Sequence, residues 1–197
     1  MTWLEVVAVV FGAISVYLSV RQNIWSWPTA LVNVTLYFLI FRRERLYADM
    51  GLQVFYAGIS LYGWYYWLFG GEGRTTLRVS HAPRILGVVL PLLGLSAAFG
   101  IGTLLDRTTN AAVPYMDSTL TVTSPIAQWM MSRKYLENWI VWVVVDVAYI
   151  GMFIYRGLYL TSFLYAVFLV LATRGYIDWR KSLASGPASL PEPAPTT

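Results

Sequence analysis

Asp146 combines a residue type and a position that could support chemistry. It lies near the middle of the apolar stretch from Trp139 to Tyr155, where an ionised carboxylate costs about 2.5–3.5 kcal/mol on insertion scales. Trp142 and Tyr149 share a helical face with it, at spacings of four and three residues. Because such carboxylates usually face a cavity or a partner, we expect Asp146 to belong to a binding site.

Polar and aromatic side chains in three other apolar stretches extend this candidate site. They are Asn33 and Tyr37, then Gln53, Tyr56 and Trp64, and finally Gln128. Amides can hydrogen-bond a flat polar solute, rings can stack on it, and a tryptophan face attracts positive charge. The alternative is structural: interhelical hydrogen bonds for the amides and a protonated, bonded carboxyl for Asp146.

Several function classes lack the residues that they need. The chain has no cysteine and one histidine, His81, in a polar stretch, so the sequence predicts no metal site. We predict no catalytic residue and no cofactor, and no phosphate-binding loop is present. The dispersed basic residues argue against nucleic acid as a partner. An intramembrane enzyme with two carboxylates and a purely structural protein are the competing classes.

The composition places these residues in a membrane protein. Of 197 residues, 57% are hydrophobic and 12% are charged, against about 25% charged in a soluble domain. Seven continuous apolar runs predict transmembrane helices, since alternating hydrophobicity would be needed for a barrel. The runs cover residues 3–20, 27–41, 47–69, 85–105, 116–131, 139–155 and 159–177. We therefore predict an all-α integral membrane protein in a lipid bilayer.

An internal repeat links the two halves of the chain. Residues 21–67 align without a gap on residues 133–179, and nine of the 47 positions are identical, among them Trp27/Trp139, Tyr37/Tyr149 and Trp67/Trp179. The repeat predicts two parallel three-helix units, about 3–69 and 116–179, joined by a linker helix at about 85–105, as in the SWEET-like fold. Rocking of the two units about a central site would give alternating access. The alternative is chance similarity between apolar helices.

Charge and aromatic residues predict the orientation and the ends of the transmembrane domain. Nine basic residues fall on the side of loops 1–2, 3–4, 5–6 and the C-terminus, against five on the other, so the C-terminus is predicted to be cytoplasmic. We expect Trp3, Trp25, Trp67 and Trp179 to anchor helix ends at the membrane interface. The transmembrane domain is predicted to span residues 1–181, and the Pro- and Ala-rich residues 182–197 to be a disordered tail.

Several motifs resemble those of the PnuC vitamin transporters. They are Trp-Pro-Thr-Ala-Leu-Val-Asn-Val-Thr-Leu-Tyr at 27–37, Leu-Tyr-Ala-Asp-Met-Gly-Leu-Gln-Val-Phe-Tyr at 46–56, Tyr-Gly-Trp-Tyr-Tyr-Trp at 62–67, Ser-Arg-Lys-Tyr-Leu-Glu-Asn-Trp-Ile-Val-Trp at 132–142 and Arg-Gly-Leu-Tyr at 156–159. The similarity covers residues 3 to 181. It implies a seven-helix SWEET-like homotrimer in the bacterial inner membrane.

The resemblance also implies a substrate. It points to uptake of nicotinamide riboside by facilitated diffusion, with a cytoplasmic kinase trapping the product. Relatives in this family carry thiamine, riboflavin or deoxynucleosides, so thiamine or another vitamin or nucleoside is the alternative. A carboxylate at Asp146 suits a pyridinium or a thiazolium cation equally, and it leaves open a proton-coupled variant.

Overall fold

Seven α-helices account for most of the computed structural model, which describes residues 3–108 and 113–185. They are α1 (Trp3–Val20), α2 (Ser26–Arg43), α3 (Tyr47–Phe69), α4 (Leu86–Thr108), α5 (Pro114–Ser132), α6 (Asn138–Tyr155) and α7 (Tyr159–Ala184). By length and composition, α1, α4, α6 and α7 are each able to cross a membrane. The predicted all-α membrane class is thereby confirmed, and the predicted bounds differ from the observed ones by a few residues, except at the end of α7.

The last helix runs further than its apolar pattern predicts. The predicted span ends at Ile177, but α7 continues to Ala184. Trp179, in this extension, is fully buried, so packing against the rest of the bundle holds a segment whose composition is polar. Residues 186–197, most of the predicted disordered tail, lie outside the described residues.

The α4 helix presents a broad apolar surface. Leu92, Leu93, Leu95 and Phe99 are each more than 60% exposed. Exposed apolar side chains in such number are costly in water and are the expected outer face of a helix in lipid. Its inner face packs on α5, where the Ser118 hydroxyl donates to the Ala98 carbonyl at 2.8 Å.

The helices on either side of α4 pack in matching ways. Helices α1, α2 and α3 pack consecutively, as do α5, α6 and α7, and the two sets meet where α1 contacts α7 and α3 contacts α5. Backbone conformations match as well. Gln22 and Lys134, which the repeat alignment pairs, both have positive φ, at 53° and 51°, and the aligned Arg45 and Gly157 form a second such pair at 59° and 72°.

Four tryptophans fill the core at the end of the bundle where α3 and α7 end. Trp27 packs edge-on against Trp67 with ring centroids 5.3 Å apart, and Trp139 packs in the same way against Trp179 at 5.3 Å. Trp67 and Trp179 contact each other at 5.9 Å. We refer to these four residues as the tryptophan cluster.

The predicted interface role is wrong for two of the four residues proposed as anchors. Trp3 and Trp25 are 74% and 65% exposed, as an anchor requires, but Trp67 and Trp179 are 2% and 0% exposed. The reason is that the ends of four helices converge there. The Trp67 indole donates to the Met131 carbonyl on α5, and the Trp179 indole donates to the Ser19 carbonyl on α1, each at 3.1 Å.

The loop between α3 and α4 is fastened to the turn between α5 and α6. The Ser80 amide donates to the Lys134 carbonyl at 3.1 Å, and the Leu136 amide donates to the Ser80 carbonyl at 2.9 Å. Next to this bridge, His81 Nδ1 lies 2.7 Å from Glu137 Oε1, and the Ala82 amide donates to Glu137 Oε2 at 2.8 Å. These contacts form a latch between two loops on the same side of the bundle.

Candidate substrate-binding site

Asp146 is buried in the middle of α6, with 3% of its surface exposed. In the part of the chain that the structure describes, no hydrogen bond or ion pair reaches its carboxylate. Its charge acts on the phenols of Tyr149 and Tyr165, which lie nearby. Since an uncompensated buried charge is expensive, this carboxyl group must be either protonated or ready to receive a cation.

Tyrosines from four helices lie in one group with Asp146. Tyr149 and Tyr165 have ring centroids 4.5 Å apart. Tyr37 on α2 and Tyr56 on α3 also lie within electrostatic range of the Tyr165 hydroxyl. The structure therefore brings four predicted residues, Tyr37, Tyr56, Asp146 and Tyr149, into one polar and aromatic group in the middle of the bundle.

Two residues of this group were not predicted. The Tyr165 ring contacts the rings of Tyr149 and Phe153. The Ser124 hydroxyl of α5 lies near the phenol hydroxyls of both Tyr56 and Tyr149. The repeat contained a signal for Tyr165, because the alignment pairs this position with the predicted residue Gln53.

Trp142 lies one helical turn before Asp146 and packs against two apolar clusters, one of which contains the tryptophan cluster. Its indole nitrogen is buried without a hydrogen-bond partner. A buried donor left unpaired costs about 1–3 kcal/mol. The indoles of Trp27 and Trp139 are buried without a partner as well, but Trp142 is the one that lies a single turn from Asp146, where a ligand's oxygen could accept its hydrogen bond. Trp64 packs against the apolar cluster that contains the tryptophan cluster, and no contact among the described residues places it beside Asp146.

The three predicted amides differ in their surroundings. The Asn33 side chain donates to the Ala8 carbonyl of α1 at 2.7 Å. This is an interhelical hydrogen bond, the structural alternative that the sequence left open. Gln53 and Gln128 are both half-buried. Gln53 lies one turn before Tyr56, and Gln128 lies one turn after Ser124, so both sit at the margin of the tyrosine group by helical spacing.

The chemistry available here is recognition by charge, stacking and hydrogen bonds. The group offers a carboxyl, four phenols and an unpaired indole N–H. Among the described residues, no cluster of three or more His, Asp or Glu side chains is arranged to hold a metal ion. Groups of these kinds can bind a planar, cationic, hydroxylated solute.

Two cavities lie outside this group. One, of about 650 Å³, lies at the end of the bundle beside the tryptophan cluster and is lined in part by Trp67, Arg78 and Lys134. The other, of about 470 Å³, lies between α4, α5 and α6. Neither is lined by any of the nine predicted site residues.

Comparison with known proteins gives consistent similarities. Residues 2–181 match the sequence model of a family described as nicotinamide mononucleotide transporter. The chain is 29% identical to the nicotinamide riboside transporter PnuC of Escherichia coli strain K12, over 92% of this chain and 87% of that protein. It is 26% identical to the riboflavin/roseoflavin transporter RibM of Streptomyces davaonensis, over 90% and 84% of the two chains. The crystal structure of the vitamin B3 transporter PnuC superposes with a TM-score of 0.71 at 24% identity, covering 93% of this chain and 83% of that one.

Proposed function

The chain belongs to the nicotinamide mononucleotide transporter family, and we propose that it carries nicotinamide riboside across a membrane by facilitated diffusion. The E. coli relative is named a nicotinamide riboside transporter and matches nearly the full length of both chains. The family also argues against an enzymatic role. In this proposal the substrate crosses the membrane chemically unchanged.

The buried, unpaired Asp146 is the observation that carries this proposal. Nicotinamide riboside has a planar pyridinium ring with a positive charge and a ribose with hydroxyl groups. The Asp146 carboxylate would offset the charge, and the rings of Tyr149 and Tyr165, 4.5 Å apart, would stack on the pyridinium. The free Trp142 indole N–H and the phenol hydroxyls would bind the ribose oxygens.

We further propose that the transporter moves by alternating access between two parallel three-helix repeats, α1–α3 and α5–α7, with α4 as the linker. The support is that contacts recur at aligned positions of the repeat. Trp27–Trp67 and Trp139–Trp179 have the same centroid distance of 5.3 Å, and Tyr37–Phe41 and Tyr149–Phe153 are both stacked at 5.7 Å. All seven helices would cross the membrane, and residues 1–181 would form one transporter domain.

The surroundings of the transporter are proposed on the same basis. It would be a homotrimer in the bacterial inner membrane, with a cytoplasmic kinase trapping the substrate by phosphorylation. The excess of basic residues on the loop 1–2, 3–4 and 5–6 side favours a cytoplasmic C-terminus. The latch and the tryptophan cluster would then face the cytoplasm.

Two variants of this function have specific support. The similarity to a riboflavin/roseoflavin transporter favours testing other vitamins, thiamine included, because thiamine also carries a cationic ring. A carboxyl group inside the membrane favours testing proton coupling.

The test is uptake into proteoliposomes that contain the purified protein. Saturable counterflow of nicotinamide riboside, unaffected by a pH gradient, is the expected result. If thiamine or riboflavin is taken up in preference to nicotinamide riboside, that vitamin is the substrate. If an inward proton gradient drives uptake by the wild type but not by Asp146→Asn, the mechanism is proton coupling and not facilitated diffusion.

A further inference from the structure

The cavity of about 650 Å³ beside the tryptophan cluster has a cationic lining. Lys134 and Arg78 both contribute to it, together with the polar side chains of Gln22, Thr76 and Ser182. No acidic residue lines it among the described residues. The second cavity differs because its lining is more apolar and contains the acidic Glu137 as well as Arg84.

Lys134 is an unusual residue in this lining because only 7% of its surface is exposed. Its Nζ donates to the Leu77 carbonyl at 2.9 Å and lies 4.4 Å from the Trp67 ring centroid. The ammonium has three donors, and the other two meet no acceptor among the described residues. Burial lowers the pKa of Lys134 to about 8, which is the mark of a cation whose neighbours do not fully replace its hydration.

Lys134 adopts an unfavourable backbone conformation. Lys134 has a φ of 51°, in the left-handed region, which is costly for a residue with a side chain. Gln22, its counterpart in the first half of the repeat, has a φ of 53° and lines the same cavity. The two turns therefore aim one cationic and one amide side chain into a shared space.

We propose that this cavity is a binding site for a phosphate-bearing anion. Lys134 at its inner wall and Arg78 at its exposed side would bind the phosphate oxygens, and Gln22 and Thr76 would complete the hydrogen bonds. Ammonium and guanidinium groups form the strongest hydrogen bonds to phosphate available in proteins. The volume leaves room for more than the phosphate group itself, so a phosphorylated nucleoside and a phospholipid headgroup are two sources of the same chemistry.

The competing explanation is that Lys134 only fastens the loop through Leu77. Arg78 separates the two, because it is exposed and its replacement leaves the Lys134–Leu77 bond intact. Arg74 provides a matched control, since it is an exposed arginine of the same loop that does not line the cavity.

The experiment measures binding to the purified full chain at constant ionic strength, with chloride as the reference anion. Inorganic phosphate and a ribonucleoside 5′-monophosphate are titrated in detergent, and phosphatidylglycerol is compared with phosphatidylcholine in nanodiscs. We expect at least one of these probes to raise the melting temperature and to bind about tenfold more weakly to Arg78→Gln and to Lys134→Gln, with Arg74→Gln like the wild type. Phosphatidylglycerol alone acting would identify a lipid headgroup, and the soluble anions acting would identify a free ligand.

Two results would overturn the proposal. One is that none of the three probes stabilises the protein beyond the chloride or phosphatidylcholine reference. The other is that Arg78→Gln and Arg74→Gln respond alike to the probe that binds.

Discussion

Trp67 and Trp179 contact each other edge to face at 5.9 Å, and each donates its indole N–H to a helix of the other half of the chain. Trp67 bonds to the Met131 carbonyl and Trp179 to the Ser19 carbonyl, both at 3.1 Å. Ser19 and Met131 are separated in sequence by the same interval as the two tryptophans. The two halves are thus joined by a reciprocal pair of hydrogen bonds at one end of the bundle.

This reciprocity predicts equal losses on removing either bond. Trp67→Phe and Trp179→Phe keep most of the ring but leave a buried carbonyl without its donor, so each is expected to cost about 1–2 kcal/mol of stability. The thermal unfolding midpoint in detergent measures this loss. Trp25→Phe, at a side chain that is 65% exposed, is the control, and equal midpoints for all three variants would contradict the prediction.

Two helical glycines are predicted to be intolerant of a methyl group. A Cβ on Gly63 would clash with the Trp27 ring, and one on Gly175 would lie 2.5–2.7 Å from atoms of the Trp139 ring. Both tryptophans are buried, so we expect Gly63→Ala and Gly175→Ala to destabilise the fold by about 1–3 kcal/mol. Gly58→Ala is the control, because a Cβ there meets no atom within 4 Å and alanine favours a helix. Unfolding midpoints that rise in all three would refute the close packing.

The latch between the loops is predicted to weaken in acid. Burial alone would raise the pKa of the Glu137 carboxyl, but the hydrogen bonds from His81 and the Ala82 amide lower it below its ordinary value. A lowered folded-state pKa means that the carboxylate stabilises the fold above the unfolded-state pKa of about 4.3. This contribution is lost as the pH falls from there through the lower folded-state value. Glu137→Gln should therefore show a smaller loss of melting temperature over this range than the wild type, and parallel curves would argue against the latch.

The unpaired indole of Trp142 gives a prediction that separates binding from stability. Trp142→Phe keeps an aromatic ring beside Asp146 but removes a buried donor that has no protein partner among the described residues. We expect the unfolding midpoint to stay the same or rise, and the affinity for nicotinamide riboside to fall severalfold, because one hydrogen bond to the substrate is lost. Substrate titrations by thermal shift measure both quantities. An unchanged affinity would remove Trp142 from the site.

The helices were largely predictable from the sequence because their apolar runs are interrupted by short charged or glycine-containing turns. The run from Tyr47 to Phe69 coincides with α3. The end of α7 was not predictable in this way, since its last two turns are polar and are held by the burial of Trp179. Interface tryptophans and core tryptophans at helix ends look alike in one sequence, and only the convergence of four helices distinguishes Trp67 from Trp25.

The candidate site was predictable in part for a similar reason. Asp146 stands out by charge, and Tyr56 and Tyr149 by their spacing from polar neighbours. Tyr165 and Ser124 do not stand out, because tyrosine and serine are common in membrane helices and their importance depends on which helices meet. Asn33 was singled out by its polarity, but its amide serves the contact between α1 and α2.

Substrate competition in proteoliposomes containing the wild type or Asp146→Asn tests whether Asp146 receives the substrate's charge. Nicotinamide riboside and its reduced form have nearly the same shape, but only the former carries the pyridinium charge. We expect the wild type to prefer the charged form and Asp146→Asn to lose about tenfold or more of its affinity for that form, with little change for the neutral form. Equal affinities of the wild type for both forms, or an unchanged preference in Asp146→Asn, would contradict the assignment of Asp146 as the group that receives the substrate's charge.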